Sequence, residues 1–199
     1  MAAAEVSETS DWSSPIKKQG RNKVFKEERD ANKFSWEDLG NIDEGRPNLG
    51  PHCTVLGYRL LQYTLRDELI KQFGVEKGRE VFQNAGRRAG AEFCKNCLDD
   101  SLGFNDFVVE LQEKLKDYLI GILKIEDVDM DSLSFTLTVA EDLDCSGLPF
   151  TDETICEYDE GFIAGILNTY TGKEFNVKEV DCWASGDRVC RFRATTKNG

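Results

Sequence analysis

The feature that most limits how this chain can fold is a change of hydrophobic period near residue 120. Before it, apolar residues recur at steps of three and four. Tyr58, Leu61, Leu65, Leu69 and Phe73 make one such stripe, closed by Gly74, and predict an amphipathic helix. Phe107, Val108, Leu111, Leu115, Tyr118 and Leu119 make another, with Asn105 or a neighbour as the cap. Between them "VEKGREVFQNAGRRAGAEFCKNCL" reads as a helix that carries Gly78, Gly86 and Gly90. Each glycine costs about 1 kcal/mol there relative to Ala. Close backbone packing of a neighbouring element is the preferred reason for them, ahead of space left for a ligand. After residue 120 the period falls to two. "LSFTLTV" puts Leu133, Phe135, Leu137 and Val139 on one face and Ser134, Thr136 and Thr138 on the other, a half-buried strand, with "IGILKI" as its partner. A further helix, "ICEYDEGFIAGILNTYTG", turns Ile163, Ile166, Leu167 and Tyr170 inward. Two strands, "FNVKEVDCWA" and "RVCRFRAT", close the chain. Helices, hairpin, helix, hairpin is an α+β order, with helices packed on an antiparallel sheet.

Residues 1–33 hold few apolar side chains beyond Trp12, Ile16, Val24 and Phe25, too few to offset the entropy of ordering. They predict a flexible or docking tail. The glycines and prolines of residues 34–53 predict an irregular connecting segment, so the folded domain is expected over 54–196. The formal charge of -12, from 25 Lys and Arg against 37 Asp and Glu, argues against nucleic acid and anionic membranes as partners. No apolar run has the length of a membrane span and the first residues are polar, so a cytoplasmic protein is expected.

In a reducing cytoplasm, closely spaced cysteines are more often metal ligands or redox groups than disulfides, and the seven here cannot all pair within one chain. In "DCWASGDRVCRF" a turn at Ser185, Gly186 and Asp187 sets Cys182 opposite Cys190. Opposed residues have Cβ atoms about 4.5–5.5 Å apart, which suits a shared ion and also permits a disulfide. Cys156, near the start of the preceding helix, tips the reading toward a metal. A closed tetrahedral zinc site then needs a fourth ligand. Glu179 is the nearest strong candidate, although it has the opposite strand parity to Cys182 and so requires a bulge between them. His52, the sole histidine, is distant and less favoured. Cys94 and Cys97 are i, i+3 neighbours at a helix end. They read as small buried residues ahead of a redox pair or a second metal site with Cys145 or Cys53, which themselves read as unligated. The acids of "DVDMDS" suit a solvated turn, and Glu157, Asp159 and Glu160 complement a helix dipole rather than a catalytic carboxylate pair.

The segment "ICEYDEGFIAGILNTYTGKEFNVKEVDCWASGDRVCRFRA", with its Cys, aromatic, "GFIAG", Glu, Cys-Trp, Gly-Asp and Cys-X-Phe pattern, resembles the C-terminal signature of the 4-vinyl reductase domain family. "NAGRRAGAEF" is similar to that family's glycine-bearing helix, which extends the likeness to about residues 54–196. The resemblance implies a ligand-binding domain of the type shared with nitric-oxide-signalling and Golgi-transport proteins, dimeric and with an enclosed apolar cavity. It also implies a structural Zn2+ on three Cys and one Glu, which fall here on Cys156, Glu179, Cys182 and Cys190. The family's aromatic sensors use a histidine and a tryptophan where this chain has Phe107 and Phe135, which favours a more apolar ligand. Phe107, Tyr118 and Phe135 are the expected cavity residues. The expected function is therefore binding or sensing of a small apolar or hydrocarbon-like molecule by a homodimer. One alternative is a tetrapyrrole- or haem-linked reductase or its accessory, although no dinucleotide fingerprint, cofactor lysine or Ser-His pair is present. The other is a ligand-free interaction subunit.

Overall fold

The computed structural model describes residues 34–197, so the expectation for residues 1–33 lies outside the described residues. The chain divides into two compact units between His52 and Cys53. In the first, a 3-10 turn at Trp36–Leu39 is closed by the Ser35 N–H donating to Asp38 Oδ2 at 2.9 Å. A single helical turn, α1 (Ile42–Gly45), starts where Asn41 Oδ1 accepts from the Glu44 N–H at 3.1 Å.

The second unit contains α2 (Val55–Phe73), α3 (Val75–Cys97), α4 (Phe104–Asp117), β1 (Ile122–Asp129), β2 (Ser134–Ala140), α5 (Glu157–Thr171), β3 (Phe175–Asp181) and β4 (Cys190–Thr196). The four strands form one sheet in the order β1-β2-β4-β3, and every neighbouring pair is antiparallel. The α+β class with helices on an antiparallel sheet is therefore the observed one. Burial follows the pleat along β3, where Phe175, Val177 and Glu179 are inside and Asn176, Lys178 and Val180 outside. Phe107, Leu115, Leu123, Phe135, Leu137, Ile166 and Phe192 fill the space between α4, α5 and the sheet. Among the described residues no helix is long and apolar enough to cross a membrane.

Helix α4 starts one residue earlier than its polar sequence suggests. Gly103 is the cap, its carbonyl accepting the Phe107 N–H at 2.9 Å, and Asn105 lies inside the first turn. The glycines of α3 are explained by α5. A Cβ built on Gly86 would sit 2.0 Å from the Tyr158 carbonyl oxygen, and one on Gly90 would sit 2.0 Å from that of Phe162. The two helices touch backbone to backbone, which a side chain at either position would prevent.

Helix α2 ends at Gly74 as its stripe predicts, but the stripe does not face the core. Leu61, Leu65 and Phe73 are 69%, 50% and 59% exposed. The inward face is polar: Tyr58 OH donates to Asp144 Oδ1 at 2.7 Å, Arg59 Nε to the Leu143 carbonyl at 2.8 Å, and Tyr63 OH to the Asp144 carbonyl at 3.1 Å. Arg66 holds the Glu157 carboxylate through both Nη1 and Nη2, at 2.6 and 3.0 Å. The loop after β2 presents buried carbonyls and carboxylates, and a helix supplying donors satisfies them where an apolar face would leave them unpaired.

Candidate functional site

The end of β3 shapes the first part of the site. Its ladder with β4 shifts register between Glu179 and Asp181, the irregularity that a common side for Glu179 and Cys182 requires. Cys182 then opens a 3-10 turn, and Gly186, at φ 106°, reverses the chain so that Asp187 N–H donates to the Cys182 carbonyl at 3.0 Å. Cys190 begins β4 opposite Val139 of β2. Cys156 is the N-cap of α5. Cys145 comes from the loop after β2, where its N–H donates to Asp142 Oδ1 at 3.1 Å.

These elements bring the sulfurs of Cys145, Cys156, Cys182 and Cys190 to within 4.8 Å of one another, all fully buried. Cys156 Sγ lies 3.8 Å from Cys182 Sγ and 3.9 Å from Cys190 Sγ, and Cys145 Sγ lies 3.1 Å from Cys190 Sγ. Four thiolates around one Zn2+ at about 2.3 Å form a tetrahedron with edges of about 3.8 Å. Two of the three separations match that edge, so the donor set fits a closed zinc site. All seven cysteines are free thiols, which removes a Cys182–Cys190 disulfide. Hydrogen bonds from Cys145, Cys156 and Cys190 hold the Cys182 thiol far below its ordinary range, while contacts with Cys145, Cys182 and Cys190 push Cys156 far above it. Without a cation the cluster thus favours one thiolate among thiols, and a dication would bind with release of protons.

The structure brings Cys156, Cys182 and Cys190 together and places Glu179 at their edge. Glu179 Oε2 accepts the Cys156 N–H at 3.0 Å, while Oε1 is buried without a hydrogen-bond partner. Burial, followed by the Cys182 charge, raises its pKa to about 8. The residue that sequence reasoning set aside is Cys145. It lies in a polar loop with no period, and its only sequence signal is another cysteine eleven positions before Cys156. His52 and Cys53 are outside the four-sulfur group. Cys94 and Cys97 are buried at the end of α3, where burial pushes Cys94 up to about 11 and Cys97 Sγ lies 3.9 Å from Tyr118 OH.

Next to the cluster, α4, α5 and the β1–β2 half of the sheet enclose a cavity of about 50 Å³. Phe107 and Phe135 line it, and Tyr118 does not. The Tyr118 ring instead meets Phe93 edge-on, with centroids 5.6 Å apart. Helix α5 contributes Phe162, Ile163, Ile166 and Leu167, and the only polar side chains in the lining are Asp142 and Asp159. One oxygen of each lies within 4.8 Å of the other and of Cys156 Sγ. Burial and the neighbouring Asp144 charge raise Asp142 to about 7, and burial with the Asp142 charge holds Asp159 well above the carboxylate range. Nothing in the sequence pattern marks these two acids as cavity residues, because they come from a loop and a helix start that meet only in the fold.

Comparison with known proteins agrees with this architecture. The vinyl-4-reductase (V-4-R) domain profile matches residues 135–196, from β2 through β4. An uncharacterised protein of Methanocaldococcus jannaschii is 28% identical over 144 residues, covering 72% of this chain and 78% of its own length. The phenol-responsive sensory domain of the transcription activator PoxR superposes with a TM-score of 0.56 at 18% identity, covering 74% of this chain and 78% of that one. A vinyl-4-reductase family protein of M. jannaschii gives 0.52 at 16% identity, over 74% and 83% of the two chains. A trafficking protein particle complex subunit 3 of Naegleria fowleri, covalently bound to palmitic acid, gives 0.53 at 16% identity, over 72% and 97%. At these identities the structures establish a shared fold. With the cysteine and glycine motifs and the matched segment from β2 to β4, the chain is a relative of the vinyl-4-reductase domain family.

Proposed function

We propose that this domain binds a small, largely apolar molecule in the cavity between α4, α5 and the sheet. A structural Zn2+ on Cys145, Cys156, Cys182 and Cys190 fixes the cavity wall. The carrying observation is that Cys156 caps the helix whose following turns line the cavity, so an ion at the cluster ties α5 to the β3–β4 hairpin. Four thiolates leave no open coordination position, which makes the metal a brace rather than a catalyst. Glu179 would orient Cys156 through its backbone N–H. The solved relatives with phenol and with palmitic acid support the reading, since their folds hold small molecules. Walls made of aromatic and branched side chains favour an apolar body over a polar one. Buried free thiols suit a reducing compartment, and the cytoplasm is the proposed location.

A second ligand set, Cys156, Glu179, Cys182 and Cys190, is favoured by the unpartnered Glu179 Oε1. Co2+ substitution separates the two sets. With four sulfur ligands, Cys145→Ala removes about a quarter of the sulfur-to-cobalt charge-transfer absorbance and Glu179→Gln leaves it unchanged. With the second set, Cys145→Ala leaves the spectrum intact and Glu179→Gln shifts the visible bands. Protein that takes up no Co2+ or Zn2+ ends both.

The outward face of α2 carries Leu56, Leu60, Leu61 and Leu65, exposed by 50% or more. A contiguous apolar face of this kind is a signature of association, and a second copy of the chain is the proposed occupant. Light scattering should give twice the chain mass for the native protein and the single mass for the double variant Leu60→Glu, Leu61→Glu. A monomeric native protein removes the dimer.

A further inference from the structure

The geometry points to a recognition subsite at the cluster end of the cavity, where Asp142 and Asp159 hold the cationic ammonium head of a small apolar amine. The inference rests on the cavity being a ligand site and specifies what enters it.

Asp159 carries the argument. Its Oδ2 is buried and has no hydrogen-bond partner, in a molecule that satisfies most comparable groups. The side chain is surrounded by protein yet keeps part of its surface accessible, because it borders the cavity. Asp142 is fixed beside it: Asp142 Oδ1 accepts the N–H groups of Asp144 and Cys145 at 2.8 and 3.1 Å, which sets the orientation of its carboxyl group. The two carboxyl groups lie within 4.8 Å of each other, a span one ammonium can bridge. Among the described residues no Lys, Arg or His lines the cavity, so no internal cation serves the pair.

The other acids of α5's first turn show what a purely structural carboxylate looks like here. Glu157 is held by Arg66, and Glu160 by Lys178, Gln83 and the Glu179 N–H. Asp159 alone of the three points into an apolar space without a donor. An unpaired acceptor in such a place is costly to folding and is retained where a ligand completes it. Apolar walls with acceptors at one end select a molecule with an apolar body and one donor head. Negative charge without a counter-ion selects ammonium ahead of hydroxyl and excludes carboxylate.

The test uses three probes with the same four-carbon body, n-butylamine, 1-butanol and butyrate, titrated into the metal-loaded protein by calorimetry and ligand-observed NMR. Butylamine should bind at least about tenfold more tightly than butanol, and butyrate should not bind. In Asp159→Asn, which keeps the shape, the preference for amine over alcohol should disappear while butanol binding persists. The variant should also melt no lower than the native protein, because the native Oδ2 forms no hydrogen bond; Asp142→Asn, which keeps its Oδ1 acceptor, should weaken the amine preference in the same direction. Butanol binding with no amine preference, or a preference untouched by Asp159→Asn, overturns the subsite while leaving the cavity as a ligand site. No binding by any probe overturns the cavity reading and the subsite with it.

Discussion

Cys190→Ser is expected to abolish stoichiometric Zn2+ binding and to lower the melting temperature by roughly 8–16 °C. A ligand present at a thousand times its dissociation constant stabilises the state that binds it by about 4 kcal/mol. In a domain of this size each kcal/mol corresponds to about 2–4 °C. Cys190 is the most informative position because its sulfur faces both Cys145 and Cys156, at 3.1 and 3.9 Å, and belongs to either ligand set. It also starts the strand that joins the two hairpins through β2. Losing the metal would therefore free the start of α5 from the hairpin and loosen the cavity wall. Metal analysis and calorimetric melting of native and variant protein decide the point. Equal zinc content in the two proteins would sink the assignment, and equal melting temperatures with zinc lost would show that the ion braces nothing.

Gly90→Ala is expected to destabilise the domain by about 2 kcal/mol, although Ala is the better helix former. Propensity alone favours the substitution by about 1 kcal/mol. Against it, the new Cβ would stand 2.0 Å from the Phe162 carbonyl oxygen and 2.8 Å from its carbon, so α3 and α5 must separate. Forced overpacking typically costs about 1–3 kcal/mol, and here no rotamer change relieves it because the obstacle is backbone. The upper end of that range less the propensity gain leaves about 2 kcal/mol, a melting shift of roughly 4–8 °C. Gly78→Ala is the internal control. Its Cβ meets chiefly the Ile70 side chain at 2.8 Å, which can turn away, so its cost should be much smaller. A Gly90→Ala protein that melts at or above the native temperature would show that the helices are less tightly joined than their backbones indicate.

Periodicity located most elements because it records which faces are apolar. The runs at 75–97, 133–139 and 157–171 became α3, β2 and α5 with ends displaced by a residue or so. Helix α2 shows where this information stops. Its existence and its end at Gly74 were legible, but its orientation was not. An apolar stripe says that a helix has two faces, and the choice between them depended on the donors demanded by the Asp142–Ser146 loop and Glu157.

The same boundary runs through the site. The eight-residue spacing of Cys182 and Cys190 is local to one hairpin, and Cys156 sits at a recognisable helix start, so their association could be argued from order and turn chemistry. Cys145 could not be, because a loop residue with no period has no side until the loop is folded. Nor could the meeting of Asp142 with Asp159, which are contributed by segments seventeen positions apart. By itself the sequence determined the element order, the antiparallel class, the glycine seam of α3 and α5, and the hairpin half of the cysteine group, since each follows from spacing along one or two neighbouring segments. Only the tertiary structure decided which face of α2 turns inward, which fourth sulfur joins the cluster, and which acids end the cavity. Those depend on distances between segments that chain order leaves open and that packing closes.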